Sequence, residues 1–340
     1  VDTLNTTQIA PRLSLVIPVY NRPQEIADLL QSLTSQTDSD FEVIIVEDGS
    51  TLPCKAEVQS YEDLLSIRYL VTPNGGPSKA RNIGVKAAGG AYIIILDSDV
   101  VLPSGYIRSV RAAILRTGAD AFGGPDTAAE DFSDIQKAIN YSMTSFFTTG
   151  GIRGGKKKLD RFYPRSFNLG CRRSVFTKLN GFSEDMRFGE DIDFSLRLFE
   201  QGYKVCLFDE ASVYHKRRVD FKKFFKQVFN SGMARIHIEA RHSGSMRLVH
   251  LLPSLFSIGL IVLLILSFFF PWVLLPLLLY VLMIFVDSLL KNHSLSVACL
   301  SVPAAFVQLI GYGTGLLRAW WSKNIQRKSE FTAFDKSFYD

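Results

Sequence analysis

"YIIILDSDVVLP" (residues 92–103) runs from Tyr92 through four unbroken apolar residues, Ile93 to Leu96, into two carboxylates, Asp97 and Asp99. The run has the length of one buried strand. Strands that are apolar on both faces belong to parallel sheets covered by helices. A strand that stops on two like charges needs something to offset their repulsion. In an extended segment, residues i and i+2 face one way. Asp97 and Asp99 are therefore expected to point at one spot, with Ser98 between them. A hard divalent cation with oxygen ligands, bridging to a diphosphate, would remove the cost. A solvated turn capping the strand is the alternative.

Outward from this stretch, strand and helix patterns alternate. "LSLVIPV" (13–19), "FEVIIVE" (41–47), "IRYLV" (67–71) and "ADAFGG" (119–124) read as further strands. Between them, Ile26, Leu29, Leu30 and Leu33 form one helix face, with Pro23 in its first turn. Val58, Tyr61, Leu64 and Leu65 predict a second helix. "GPSKARNIGVKAAGG" (76–90) predicts a third, and Tyr106, Val110 and Ile114 a fourth. Alternation of this kind predicts an α/β, Rossmann-like domain: a mostly parallel sheet with helices on both faces. Ligands on such sheets bind at the carboxyl ends of the strands.

The strand ends carry the candidate residues. The first strand gives Pro18, Tyr20 and Asn21; the second gives Glu47 and Asp48 before Gly49-Ser50. "NGGPSKARN" (74–82) offers Asn74, a glycine turn, and Lys79 and Arg81 near a helix start. Backbone N–H groups there can meet an anion, and an arginine can fork onto phosphate. A solvated basic helix face is the plainer reading. In "GFSEDMRFGEDIDFSLRLFEQGYKV" (181–205), Glu190, Asp191 and Asp193 cluster where a helix begins, which dipole capping alone would favour. "VYHKRR" (213–218) places His215 after the last strand-like run, either as a structural residue or as a ligand.

Composition divides the chain. The net charge of +5 is modest, but Lys216 to Arg247 holds nine Lys/Arg against Asp220 and Glu239. A local basic block suits anionic head groups or phosphates. Cys54, Cys171, Cys206 and Cys299 lie far apart, without metal-type spacing, which predicts a reduced compartment and neither a zinc site nor a disulfide framework. No signal-peptide pattern is read in the first thirty residues.

From His250 onward the chain is dominated by Leu, Ile, Val and Phe. Three segments are candidate spans: 248–270, 271–290 and the softer 295–317, which contains Gln308 and three glycines. The first would reach about 34 Å as a helix, against a hydrocarbon core of about 30 Å. Buried core helices are the alternative. Between domain and spans, Phe221, Phe224, Phe225, Val228 and Phe229 interleave with Lys and Arg, the pattern of a helix at an anionic membrane surface. The expected organisation is a catalytic domain over 1–214, a basic amphipathic linker over 215–247, a transmembrane region over 248–321 and a polar tail over 322–340. Arg318, Lys323, Arg327 and Lys328 argue against sending that tail across the membrane.

"SLVIPVYNRPQEIADLLQSLTSQ", "EVIIVEDGST", "NGGPSKARNIGVKAAGGAYIIILDSDV" and "NGFSEDMRFGEDIDFSLRL" together resemble the family 2 glycosyltransferases, over about residues 13–215. The resemblance implies the A-type glycosyltransferase fold, a nucleotide-diphosphate sugar donor, Mn²⁺ or Mg²⁺, and inversion at the anomeric carbon. It implies that Pro18, Tyr20 and Asn21 line the base and ribose pocket and that Asp48 holds the base. Asn74 and Arg81 would flank the nucleotide, and Ser98 and Glu190 would belong to the substrate pocket. Asp97 would approach the ribose or metal, Asp99 would bind the metal with His215, and Asp191 would be the general base. The Gln-x-x-Arg-Trp motif of processive members is missing after Asp191, which favours a non-processive enzyme. The expected partners are the donor, a lipid-linked or saccharide acceptor, membrane lipids and other polysaccharide-assembly enzymes, with no nucleic acid. The expected location is the cell inner membrane, multi-pass, with the catalytic domain cytoplasmic. A processive synthase, a nucleotidyltransferase and a catalytically dead scaffold are the competing readings.

Overall fold

The computed structural model describes residues 12–127, 132–149, 161–186, 188–215 and 220–327. In chain order the elements are β1 (Leu13–Val19), α1 (Pro23–Thr34), β2 (Phe41–Asp48), α2 (Lys55–Gln59), β3 (Ile67–Thr72), α3 (Pro77–Ala87), β4 (Tyr92–Leu96) and β5 (Val100–Val101). Then follow α4 (Tyr106–Thr117), β6 (Ala121–Gly123), β7 (Asp126–Thr127), α5 (Asp134–Thr144), α6 (Phe146–Thr149), β8 (Asn168–Arg172), α7 (Arg173–Lys178), α8 (Glu190–Glu200), β9 (Val205–Leu207) and β10 (Val213–His215). Four long helices complete the chain: α9 (Phe221–Arg241), α10 (Leu252–Ser267), α11 (Leu275–Asn292) and α12 (Leu295–Asn324).

These elements form two compact units. The first contains residues 12–127 and 162–215. Its seven-stranded sheet has the order β3-β2-β1-β4-β8-β6-β9. β3, β2, β1 and β4 run parallel, as their apolar sequences predict. Every residue of β1, β2 and β4 is buried. Ile26, Leu29, Leu30 and Leu33 of α1 cover one face together with Val110 and Ile114 of α4. Ala80 and Val85 of α3 cover the other with Phe176, Phe182, Phe194 and Leu198.

The strand predicted at 119–124 is not the neighbour of β4. β8 lies between them, antiparallel to both β4 and β6, so the sheet is mixed on that side. The helix predicted through Val58 to Leu65 is also shorter than expected: α2 has one turn, and Tyr61 to Leu65 follow as tight turns that leave Leu64 exposed. A second small sheet, β5-β10-β7, pairs His215 opposite Val100.

The strand order reverses between β1 and β4, since β2 and β3 extend to one side and β4 starts the other. A crevice opens at the carboxyl ends of strands at such a switch. The chain turns out of β1 at Tyr20-Asn21 and out of β4 at Asp97-Ser98-Asp99, both at this point.

The second unit contains residues 132–149, 161 and 220–327. Residues 134–149, expected inside the catalytic domain, belong here. α12 packs along α9, α5, α10 and α11. A Cβ at Gly232 of α9 would lie 2.1 Å from the Tyr312 carbonyl oxygen, and one at Gly315 of α12 would lie 2.1 Å from that of Phe229. The two helices therefore touch backbone to backbone, which only glycine permits at those positions. Tyr141 of α5 donates to Asp287 of α11 at 2.6 Å, and Lys291 pairs with the same carboxylate at 2.9 Å. α9 buries Phe224 and Val228 and leaves Lys222, Lys223, Phe225 and Lys226 exposed.

The apolar segments differ in length from expectation. The segment predicted as the first span forms only the 16-residue α10, about 24 Å at 1.5 Å per residue. Pro271–Asn292 and Leu295–Asn324 are long and apolar enough to cross a membrane. All four cysteines are free.

Candidate active site

The turn after β1 is built by short-range chemistry. Asn21 adopts a left-handed conformation, with φ 53°, which asparagine tolerates better than most residues. Its Oδ1 accepts from the Leu52 amide at 2.8 Å and the Thr51 hydroxyl at 3.1 Å, and its own amide donates to Ser50 Oγ at 2.8 Å. Ser50 in turn donates to Glu47, whose other oxygen accepts from the Cys54 amide at 2.8 Å and Tyr69 Oη at 2.9 Å. The ends of β1 and β2 are thereby locked together. Pro18 is buried within β1, and Tyr20 is half-buried at its exit.

The lock extends to α3. Gly49 has φ +70°, and a Cβ there would lie 2.4 Å from the Asn74 amide nitrogen. Glycine is required at that close approach. Asn74 Nδ2 donates to the Asp48 carbonyl at 2.9 Å. The Asp48 carboxylate accepts the Gly75 amide on one oxygen and the Gly76 amide on the other, each at 2.8 Å. Burial pushes this carboxyl above its ordinary range, against the two amides and Lys79, which favour its charge. Asp48, expected to hold a base, thus shapes the glycine turn that starts α3.

One turn into α3, Arg81 is almost wholly buried. Its Nη2 lies 2.9 Å from Asp97 Oδ1 and its Nη1 lies 2.7 Å from Glu190 Oε1. The guanidinium packs over the Phe182 ring. Burial opposes its charge, but Asp97 and Glu190 outweigh it and hold Arg81 above its ordinary range. Burial raises the Glu190 carboxyl, with Arg81 opposing and Asp191 adding to the rise. Asn82, the next residue, clamps the loop before α8: it accepts the Phe182 amide at 2.9 Å and donates to the Phe182 carbonyl and to Glu184.

The residues after β4 leave the extended conformation, with Ser98 and Asp99 in a turn, and the two carboxylates pair with different arginines. Asp99 Oδ2 lies 2.6 Å from Arg22 Nη1. Ser98 is buried between the two acids.

The acids of α8 follow the same rule. Asp191 Oδ2 lies 2.8 Å from Arg165 Nε, and its Oδ1 accepts the Ile192 amide at 2.8 Å. Asp193 accepts from Ser183 Oγ and pairs with Arg197, each at 2.8 Å. The helix N-cap is Gly189, whose backbone is left-handed and which has no side chain to cap with. Five carboxylates from two distant segments are thus met by Arg22, Arg81, Arg165 and Arg197. Arg81 joins the end of β4 to the start of α8. Among the described residues, no three His, Cys, Asp or Glu side chains gather into a metal-holding group. The side chain of His215 lies outside the described residues.

Sequence reasoning did not single out Arg22 or Asn82. Arg22 had a local signal, its place between a strand-end asparagine and a proline. Asn82 had none.

The β3-β2-β1-β4 order, with acids at the switch point, puts a candidate ligand site at the carboxyl ends of the strands. Residues 14–180 match Glycosyl transferase family 2 and form a domain of that family. EpsJ, a glycosyltransferase of Bacillus subtilis (strain 168), is 30% identical over 207 residues, covering 59% of this chain. The chain spans 60% of that relative's length. AglE, a glycosyltransferase of Haloferax volcanii, is 26% identical over 258 residues, 74% of this chain and 82% of AglE. The structure of the mannosyltransferase PcManGT from Pyrobaculum calidifontis, in complex with GDP-Man and Mn²⁺, aligns with a TM-score of 0.60 at 14% identity. That alignment covers 93% of this chain and 89% of PcManGT.

Proposed function

We propose that the chain is a membrane-bound, metal-dependent, inverting and non-processive glycosyltransferase. It moves a sugar from a nucleotide-diphosphate donor to a hydroxyl of a lipid-linked or polysaccharide acceptor. The observation that carries this reading is the Asp97–Arg81–Glu190 bridge, with spacings of 2.9 and 2.7 Å. It brings Asp191, next in sequence to Glu190, to the same site as the acids after β4.

In this reading Asp191 accepts the proton of the acceptor hydroxyl as that oxygen bonds to the anomeric carbon. The bond from that carbon to the nucleoside diphosphate breaks, and a single displacement inverts the centre. A positioned base contributes about 10²–10⁴-fold. Arg165 fixes the carboxylate through one oxygen. Pro18, Tyr20, Asn21, Asn74 and Asp48 form the turn cluster beside which the nucleotide would lie.

Asp99 and His215 would hold the divalent ion. The donor set fits a hard cation completed by diphosphate oxygens, and the β10 register sets His215 opposite Val100, the neighbour of Asp99. When bound, Mn²⁺ or Mg²⁺ would neutralise charge on the leaving diphosphate.

Pro271–Asn292 supports membrane attachment, because only 11% of its most apolar stretch is buried within the fold. A core helix of a soluble protein would be mostly covered. Two spans place α9 and the basic tail on one side, which the positive-inside rule assigns to the cytoplasm, where nucleotide sugars are found. The inner membrane of a bacterium is the fitting location. The exposed Lys222, Lys223 and Lys226 around Phe225 suit anionic lipid.

The test is a screen of the purified full chain against UDP-, GDP- and dTDP-sugars, with Mn²⁺ or a chelator, reading released nucleoside diphosphate. Release that needs both metal and acceptor supports the reading. Release of pyrophosphate, or turnover unaffected by the chelator, contradicts it.

A further inference from the structure

We propose that Arg22 is an exchangeable cation at the donor site. It neutralises Asp99 while the site is empty, and it gives up that carboxylate when a divalent ion arrives with a diphosphate, onto which the freed guanidinium turns. The inference rests on the metal-dependent reading above and adds a positioning residue to it.

Three observations carry it. The first is place. Arg22 and Asp99 meet at 2.6 Å, exactly one from each of the two turns that flank the β1/β4 switch point. The second is exposure. The Arg22 side chain is 32% exposed and that of its partner Asp99 is 15% exposed, whereas that of Arg81, serving the neighbouring carboxylate, is 5% exposed. A partly solvated pair can exchange partners without leaving a buried charge uncompensated. The third is anchorage. Asn21 is held in a left-handed turn by its three hydrogen bonds. Pro23 keeps Arg22 out of the helical region, and its backbone sits at φ −138° and ψ 54°. The backbone is fixed, so only the side chain is free to move between one anion and another.

Guanidinium forks match diphosphate oxygens as well as carboxylates. A metal alone must displace Arg22 and leave it without its partner. A metal arriving with a diphosphate supplies a new anion for the same guanidinium. Metal and nucleotide should therefore bind synergistically, and the coupling is reciprocal.

The experiment is a Mn²⁺ titration of the detergent-solubilised full chain, with free ion read by electron paramagnetic resonance, alone and with UDP or GDP. Wild type, Arg22→Gln, Arg22→Lys and Asp99→Asn are compared. Arg22→Gln should bind Mn²⁺ alone ~10-fold tighter than wild type, the scale of a modest charge-pair competition. Its gain from added nucleotide should shrink by a similar factor. Arg22→Lys, which keeps the charge, should resemble wild type with metal alone. Asp99→Asn should lose uptake under both conditions. Equal Mn²⁺ affinity in wild type and Arg22→Gln overturns the proposal while leaving the metal reading intact, and so does unchanged uptake by Asp99→Asn. No Mn²⁺ uptake by wild type with either nucleotide overturns the metal reading and this proposal together.

Discussion

Arg81 and Arg22 hold neighbouring carboxylates after the same strand, and the fold treats them differently. Arg81 is buried, packed on Phe182, and shared between Asp97 and Glu190. Arg22 is partly solvated and meets Asp99 through one nitrogen. The difference separates construction from function. A buried guanidinium between two acids cannot leave without stranding charge, so it serves as a rivet between β4 and α8. A partly solvated one can exchange its partner at less cost, which is the basis of the role proposed for Arg22.

The largest expected effect comes from breaking the rivet. Arg81→Met strands two acids and should lower the unfolding free energy by about 3–5 kcal/mol, measured by denaturant unfolding of the catalytic unit's signal in the full chain. A loss below about 1 kcal/mol would show that Arg81 is as dispensable as a surface pair. Next, Asp48→Asn replaces one acceptor oxygen by a donor facing a glycine amide. It should cost about 1–3 kcal/mol and loosen the Gly75-Gly76 turn, read as faster amide exchange there.

The helical unit supplies a contrast in pH response. Burial, helped by Lys323 and Arg241, lowers His237 from 6.5 to about 4. The folded state then binds fewer protons than the unfolded chain between those values. Stability tied to this group is therefore complete above about pH 6.5 and lost as pH falls towards 4. The loss is about 1.4 kcal/mol per unit of depression before solvent screening. His237→Asn should flatten the slope of melting temperature between pH 7 and 4. The smallest expected effect belongs to Arg22→Gln, which should change stability by about 1 kcal/mol or less. A cost comparable with that of Arg81→Met would abolish the distinction between the two arginines.

Much of the fold was legible in the sequence. β1, β2 and β4 announce themselves as apolar runs because both of their faces are covered. β8 does not, because "NLGCR" is short and lies between one antiparallel neighbour on each side, a pairing chosen by tertiary contacts alone. α10 looked like the clearest span by composition, yet its helix is shorter than the stretch of apolar residues. α12 looked softer, and its glycines mark helix packing against α9 and α10. The grouping of 134–149 with the C-terminal helices had no signal in local patterning.

The site was legible in its acids and largely illegible in their partners. Asp97, Asp99, Glu190 and Asp191 stood out because carboxylates at strand ends and helix starts need an explanation. The explanation offered was one shared cation, since an extended strand would aim Asp97 and Asp99 together. The chain turns at Ser98, and Arg81 pairs with Asp97 while Arg22 pairs with Asp99. Arg81 was visible at its helix start, but its pairing with Asp97 and Glu190 was not. Arg22 and Arg165 find their acids 77 and 26 residues away in sequence, a distance over which spacing carries no information.

The central claim is that the acids after β4 and the acids opening α8 serve one sugar-transfer site in which Asp191 is the base. The most direct measurement is nucleotide release by Asp191→Asn alongside its donor and Mn²⁺ binding. The account predicts donor and metal affinities within about twofold of wild type and turnover reduced by about 10²–10⁴-fold. Turnover at the wild-type rate in that variant would contradict it.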